Sequence, residues 1–263
     1  MWLIINCIVE NQKIINHSMA ANAPPLLTTS LSLTQTLTSF LTVAFHSILY
    51  QRAIYPSSTF ILTRAYNFPV RQSRHPLVCR WINDTITHLT PMVLAGSVEN
   101  VVFVIFNEQA EVMERIIFSL ERFPIVHPND AYVEFAARAI GDVHEDQKTL
   151  MRGVPQVDVD EQLRATIRML DYACSRLSPL PDNCSYTVAL ELRDKAEPPI
   201  GNPQPWIPSE PSLQTGSQHQ SQTIGHDLGG VRSVPVRLVE AGEFILDTWI
   251  EEGKSKIRKN SSP

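Results

Sequence analysis

The residues that could do chemistry in this chain stop short of every familiar catalytic pattern. His144–Glu145–Asp146–Gln147–Lys148 begins like the zinc motif H-E-x-x-H, but a lysine stands where the second histidine must ligate. There is no G-x-S-x-G elbow, no Walker loop and no G-x-G-x-x-G, and Gly229–Gly230 alone reads as a flexible turn. The four cysteines, Cys7, Cys79, Cys174 and Cys184, lack ligand spacing, which fits reduced thiols. Among the scattered histidines, His46, His75 and His88 fall on predicted helices and read as surface or cap residues. No metal, no cofactor and no catalytic activity are therefore expected. What remains is aromatic. Trp81 sits beside an apolar stripe, Trp206 in Pro205–Trp206–Ile207, and Trp249 near the C-terminus. Each would serve to plug a core. Each would serve equally as an interface anchor, where truncation costs about 2 kcal/mol or more.

Anchors need elements to hold them. From Leu31 to Pro56, Leu33, Leu37, Phe40, Leu41, Ala44 and Ile48 recur at helical spacing, and Phe45 and Leu49 widen the face. Gln35, Ser39, Thr42 and His46 form a narrow polar stripe, which interrupts every window long enough to span a bilayer. This predicts a central core helix, ended by Pro56. Thr59–Leu62 and Phe68–Val70 read as a hairpin turning at Tyr66–Asn67. A second helix starts at Pro76, carries Val78, Ile82, Ile86 and Leu89 inward, and runs to about Pro91.

The run Val101–Phe106 reads as a buried strand, with Val112–Glu121 as its antiparallel partner. Residues 124–157 read as an inserted loop. A third helix is expected from Asp158, with Glu161 completing a capping box and Pro179 ending it. Cys184–Leu192 alternates as a strand, with Tyr186, Val188, Leu190 and Leu192 on one face. Residues 196–230 are rich in Pro, then Ser, Gln and Gly, which is the composition of a linker. Strand-like Val234–Val239 and Phe244–Ile250 follow. Mixed helices with adjacent strands predict an α+β fold, helices packed on an antiparallel sheet.

The 263 residues suit one large domain or two small ones, and 43% hydrophobic with 19% charged side chains is ordinary for a globular chain. Net charge is -5 but uneven: residues 1–100 hold 6 basic and 3 acidic side chains, residues 101–200 hold 10 and 17. An acidic middle disfavours direct binding to nucleic acid. The basic residues Lys254, Lys256, Arg258 and Lys259 read as a solvated, disordered tail over 253–263, the alternatives being a nuclear-import signal or a nucleic-acid contact. The opening MWLIINCIVE has no basic flank and no cleavage site, so residues 1–29 are expected to be a disordered or mis-annotated extension.

The ordered series of pieces resembles the HORMA domain family, in the branch of accessory, non-catalytic subunits of DNA polymerase zeta. The matching pieces are Ile48–Leu49–Tyr50, Tyr55–Pro56, Tyr66–Asn67–Phe68–Pro69–Val70, His75–Pro76, Asp84–Thr85 and the strand pair Glu99 to Leu120. They continue with Leu163–Arg164–Ala165, Cys184–Ser185–Tyr186–Thr187–Val188, Pro205–Trp206–Ile207, Pro235 and Trp249–Ile250–Glu251–Glu252. The resemblance spans residues 30–252. It implies three helices on an antiparallel sheet and a C-terminal "safety belt", about residues 196–252, that closes over a partner peptide lying as an added strand.

In this branch the trapped peptide is a proline-containing segment of the polymerase's catalytic subunit. The belt's returning strands meet the C-terminal domain of a Y-family deoxycytidyl transferase. The resemblance places Tyr55, Trp81 and Trp206 at the peptide, and Ser233, Asp247 and Trp249 on the scaffold-binding surface. The family has an aliphatic residue in place of Ser233 and an amide in place of Asp247. Arg164 matches a dimerisation arginine. A homodimer or hetero-HORMA dimer, a AAA+ HORMA-remodelling ATPase and a nuclear location are implied as well. A spindle-checkpoint adaptor on the same fold is the nearest rival reading.

Overall fold

A computed structural model describes residues 26–125, 130–135, 153–194 and 232–260, with residues 258–260 by backbone alone. Its centre is helix α1, Ser30–Gln51. Thr29 and Ser32 cap it reciprocally, each backbone N–H donating to the other's hydroxyl at 3.2 and 3.1 Å. Its apolar residues from Leu33 to Leu49 are almost fully buried. The polar stripe is not solvent-facing as a whole: Gln35 is exposed, but Thr42 and His46 are buried. The sequence expectation was wrong there because each group finds a local partner. Thr42 donates to the Thr38 carbonyl at 2.9 Å, and His46 Nδ1 accepts from the Ser73 N–H at 3.3 Å. Burial lowers the His46 pKa to about 4, so the ring stays neutral.

The helix also ends earlier than Pro56. Arg52 caps it and Ala53 turns left-handed at φ 51°. The Arg52 guanidinium is held in the core, so the chain must leave the helical path there.

Helix α2, Pro76–Leu94, begins as expected, with His75 Nδ1 accepting from the Leu77 N–H at 3.3 Å. It passes through Pro91 and stops a turn later, where Gly96 adopts φ 69°. Helix α3, Gln156–Arg176, starts two residues before Asp158 and has no side-chain cap. The capping box is not formed; Pro155 leads directly into the first turn.

Strand β1, Leu26–Leu27, pairs with β6, Val154–Pro155, so the ordered domain begins inside the segment read as an extension. Hairpin β2–β3, Phe60–Ala65 and Phe68–Ser73, turns at Tyr66–Asn67, both at positive φ.

The main sheet is antiparallel and five-stranded. It comprises β4 (Val98–Phe106), β5 (Val112–Ser119), β7 (Ser185–Leu192), β8 (Arg232–Ala241) and β9 (Phe244–Glu252), in the order β7-β4-β5-β9-β8. Alternation sets its two faces. Phe103 and Phe118 point at α1, with Phe45–Phe103 centroids 5.2 Å apart and Phe40–Phe118 6.0 Å. Val102, Val104 and Ile117 form a second cluster with Ala189 and Trp249 on the other face. β5 is buried nearly throughout, including Glu114 and Arg115.

β7 and β8 lie at opposite edges, so the intervening chain, residues 195–231, joins the two sides of the sheet. The linker and Trp206 fall outside the described residues, as does most of the 124–157 insert. The described part of that insert is docked: Ala131 and Phe135 are buried against the start of α1. The C-terminal basic stretch is not a solvated tail. It forms helix α4, Lys254–Asn260, with Lys256 buried. Among the described residues no helix is long and apolar enough to cross a membrane.

Candidate functional site

At the β7 edge an aromatic group assembles from four elements. Tyr186 on β7 is its hub. Trp81 from α2 meets it edge-on at 5.0 Å, Tyr55 from the segment after α1 meets it edge-on at 6.1 Å, and Phe103 on β4 stacks at 5.5 Å. The Tyr55 and Tyr186 hydroxyls share a hydrogen bond at 3.2 Å. Burial, then the bond to Tyr55, raises the Tyr186 phenol's pKa, so it remains a neutral hydroxyl. Trp81 and Tyr55 are both half-buried, and no strand pairs with the outer side of β7 among the described residues. A sheet edge flanked by aromatics can accept an extended peptide: backbone groups supply affinity and side-chain pockets supply selectivity.

The two sequence-derived residues Tyr55 and Trp81 are thus brought together, and Trp206 lies outside the described residues. Tyr186 was missed as a site residue. In sequence it is one more apolar position on an alternating strand. Only the packing of α2 and the post-α1 segment around its ring distinguishes it.

The β8–β9 hairpin carries the second group on the outer face. Trp249 pairs across to Pro235 and Ile117, Ser233 stands opposite Glu251, and Asp247 stands opposite Leu238 and Ser119. Trp249 Nε1 donates to Glu251 at 3.0 Å. Arg115 bridges Glu251 at 3.2 Å and Glu191 at 2.5 Å. Asp247, Trp249, Ser119, Glu121, Arg122 and Ile245 line a small cavity of about 100 Å³. Asp247 and Ser233 are exposed and Trp249 is half-buried, with Ser233 outside the cavity lining.

Arg164 is half-buried on α3, 3.2 Å from Glu161. Met169 and Tyr172 are exposed on the same helix at 41% and 57%. No cluster of three or more potential metal ligands occurs among the described residues.

Helices layered on one face of an antiparallel sheet, with a C-terminal hairpin returned to the edge opposite β7, define a class. The model of the HORMA domain family matches residues 31–226. The chain belongs to the HORMA domain family. Among curated relatives it is 29% identical over 219 residues to the DNA polymerase zeta processivity subunit of Schizosaccharomyces pombe, covering 81% of this chain and 89% of that one. It is 32% identical to the mitotic spindle assembly checkpoint protein MAD2B of Danio rerio, over 65% of this chain and 73% of the relative. It is 30% identical to the Arabidopsis thaliana polymerase zeta processivity subunit, over 67% and 71%.

Solved structures share the fold. A chain of the mitotic checkpoint complex superposes with a TM-score of 0.58 at 19% identity, covering 83% of this chain and 97% of its own. Caenorhabditis elegans HTP-2 bound to an HTP-3 closure motif gives 0.56 at 13%, covering 90% and 98%. The chain is a HORMA adaptor of the polymerase zeta accessory and MAD2B type, a group whose names describe subunits and checkpoint proteins rather than enzymes.

Proposed function

We propose that this chain is the accessory subunit of a translesion polymerase zeta. It captures a proline-containing segment of the catalytic subunit as an added strand on β7. One observation carries the reading: the β7 edge, unpaired among the described residues, is flanked by Tyr55, Trp81 and Tyr186, the first two being among the three residues that the family resemblance assigns to the peptide. The likeness to polymerase zeta processivity subunits supplies the partner class. The belt, about residues 196–252 and including Trp206, closes over the peptide. The outer hairpin face with Ser233, Asp247 and Trp249 receives the C-terminal domain of a Y-family deoxycytidyl transferase, the small cavity beside Trp249 lying on that face. The exposed α3 face around Arg164, Met169 and Tyr172 serves for pairing with a second HORMA chain. A AAA+ remodelling ATPase opens the belt, and the protein acts in the nucleus.

The test is calorimetric titration of the catalytic-subunit peptide into the full chain. Trp206→Ala weakens capture if the belt tryptophan presses on the peptide; unchanged affinity removes that assignment. The names MAD2B and mitotic checkpoint complex favour one second reading, a spindle-checkpoint adaptor. Affinity purification separates the two, since that adaptor would recover checkpoint proteins in place of polymerase subunits.

A further inference from the structure

One strand in from the edge opposite β7, β9 meets β5 at a buried charge cluster. In the β5–β9 register Glu114 stands directly opposite Glu252, and the two side chains are 0% and 5% exposed. Two buried carboxylates facing each other across a ladder repel, and each loses its hydration. Two cations offset this. Arg52, at the end of α1, donates to both Glu114 oxygens at 2.8 and 2.7 Å, and also to the carbonyls of Cys174 and Ser178. That guanidinium belongs to the core. Lys256 does not: it comes from α4, beyond the last strand. Its ammonium bonds Glu114 and, at 2.7 Å, Glu252. Its side chain is 1% exposed.

The turn that brings Lys256 back is built for close approach. The Gly253 N–H donates to the Met113 carbonyl at 2.8 Å. A Cβ at Gly253 would lie 2.1 Å from the Val112 carbonyl oxygen, so only glycine fits there.

We propose that α4 is a charge latch on the C-terminal hairpin. Lys256, returned by the Gly253 turn, neutralises the facing Glu114–Glu252 pair and so holds β8–β9 on β5. Undocking the terminal helix leaves Arg52 on Glu114, and on Glu252 only the exposed Arg232 at 3.9 Å and the Ser178 hydroxyl at 3.4 Å, and so frees the hairpin. This rests on the reading of that hairpin as the belt's returning limb. On that reading, the last few residues of the chain govern how long a partner stays captured.

The experiment is hydrogen exchange on the full chain, with and without the catalytic-subunit peptide. Lys256→Met is expected to raise amide exchange in residues 232–252 at least tenfold while α1 and β4 keep their protection. Lys256→Met combined with Glu252→Gln is expected to restore protection, because the remaining carboxylate then has Arg52 to itself. Unchanged exchange in the hairpin, a uniform rise across the domain, or no rescue in the double variant would each overturn the latch.

If Lys256→Met does not fold, native-state exchange of the unaltered protein in rising urea decides. The latch requires α4 and β8–β9 to open as one unit before the core, and separate opening refutes it. With peptide bound, the dissociation rate should rise about tenfold in Lys256→Met. Absence of peptide binding in both proteins, with the exchange result intact, would remove the peptide-capture reading and leave the latch standing.

Discussion

The two edges of the main sheet are built on opposite principles. The β7 edge is lined with neutral, half-buried aromatics and pairs with no further strand among the described residues. At the opposite edge β8 likewise pairs with no further strand among the described residues, but α3 packs against it, and its neighbour β9 is fixed to β5 by four buried charges from α1, β5, β9 and α4. Aromatic surface is adaptable: it loses little when wet and gains when covered. A buried ion cluster tolerates no such half-measure, since removing one member strands another. One edge is therefore suited to exchanging partners and the other to staying closed.

The largest expected effect falls on the closed edge. Arg52→Met takes one of two buried cations from Glu114 and removes the guanidinium donors to the Cys174 and Ser178 carbonyls, which should cost about 3–5 kcal/mol. Urea unfolding measures it, and a loss below about 1 kcal/mol would erase the contrast between the edges.

Next comes pH. His46 is neutral in the fold, its pKa lowered from 6.5 to about 4 by burial. The unfolded chain therefore binds the extra proton first. His46's contribution is intact above pH 6.5 and is lost as pH falls toward 4, to the extent of about 3 kcal/mol. Asp171 acts in the opposite sense, its pKa raised from 3.8 to about 6 by burial, so its contribution is present at low pH and lost as pH rises through 6. Unfolding curves at pH 7 and 5 for His46→Gln and Asp171→Asn separate the two: the first should flatten the acid loss and the second steepen it. His46 holds hairpin β2–β3 rather than either edge, so both edges should weaken together.

The open edge should behave differently. Trp81→Ala is expected to cost about 2 kcal/mol in peptide affinity while changing domain stability less. Equal losses in calorimetry and in urea would mean that Trp81 is core, and the distinction between edges would fail at its clearest residue.

The smallest stability effect belongs to Arg164→Ala, which removes only a partly exposed i,i+3 pair worth a few tenths of a kcal/mol. Its readout is mass: light scattering should show a shift from dimer toward monomer, and the same mass for both proteins would refute the dimer role.

Much of the frame was readable in the chain. The 3.6-residue spacing from Leu33 to Leu49 specifies a helix with apolar contacts on most sides, and the alternation from Ser185 to Leu192 specifies a strand with one face inward. Tyr66–Asn67 marked the β2–β3 turn, and His75–Pro76 marked the start of α2. Those signals are local, because backbone geometry converts spacing into direction within a few residues. Tyr55 and Trp81 were found through family resemblance, and their meeting at Tyr186 needed three elements to converge.

The sequence alone determined the three long helices, most of the strands and the absence of complete catalytic motifs, but not α4. Only the tertiary structure decided which charges are structural. Lys256 looks like one member of a basic tail until it is seen 142 residues from Glu114 in sequence and in direct contact in space. Arg52 looks like a helix-end cation until its guanidinium is found between β5 and α3. Periodicity encodes which way a side chain points, but not which distant charge it meets. That depends on how the sheet orders its strands, and this order placed Glu114 and Glu252 face to face.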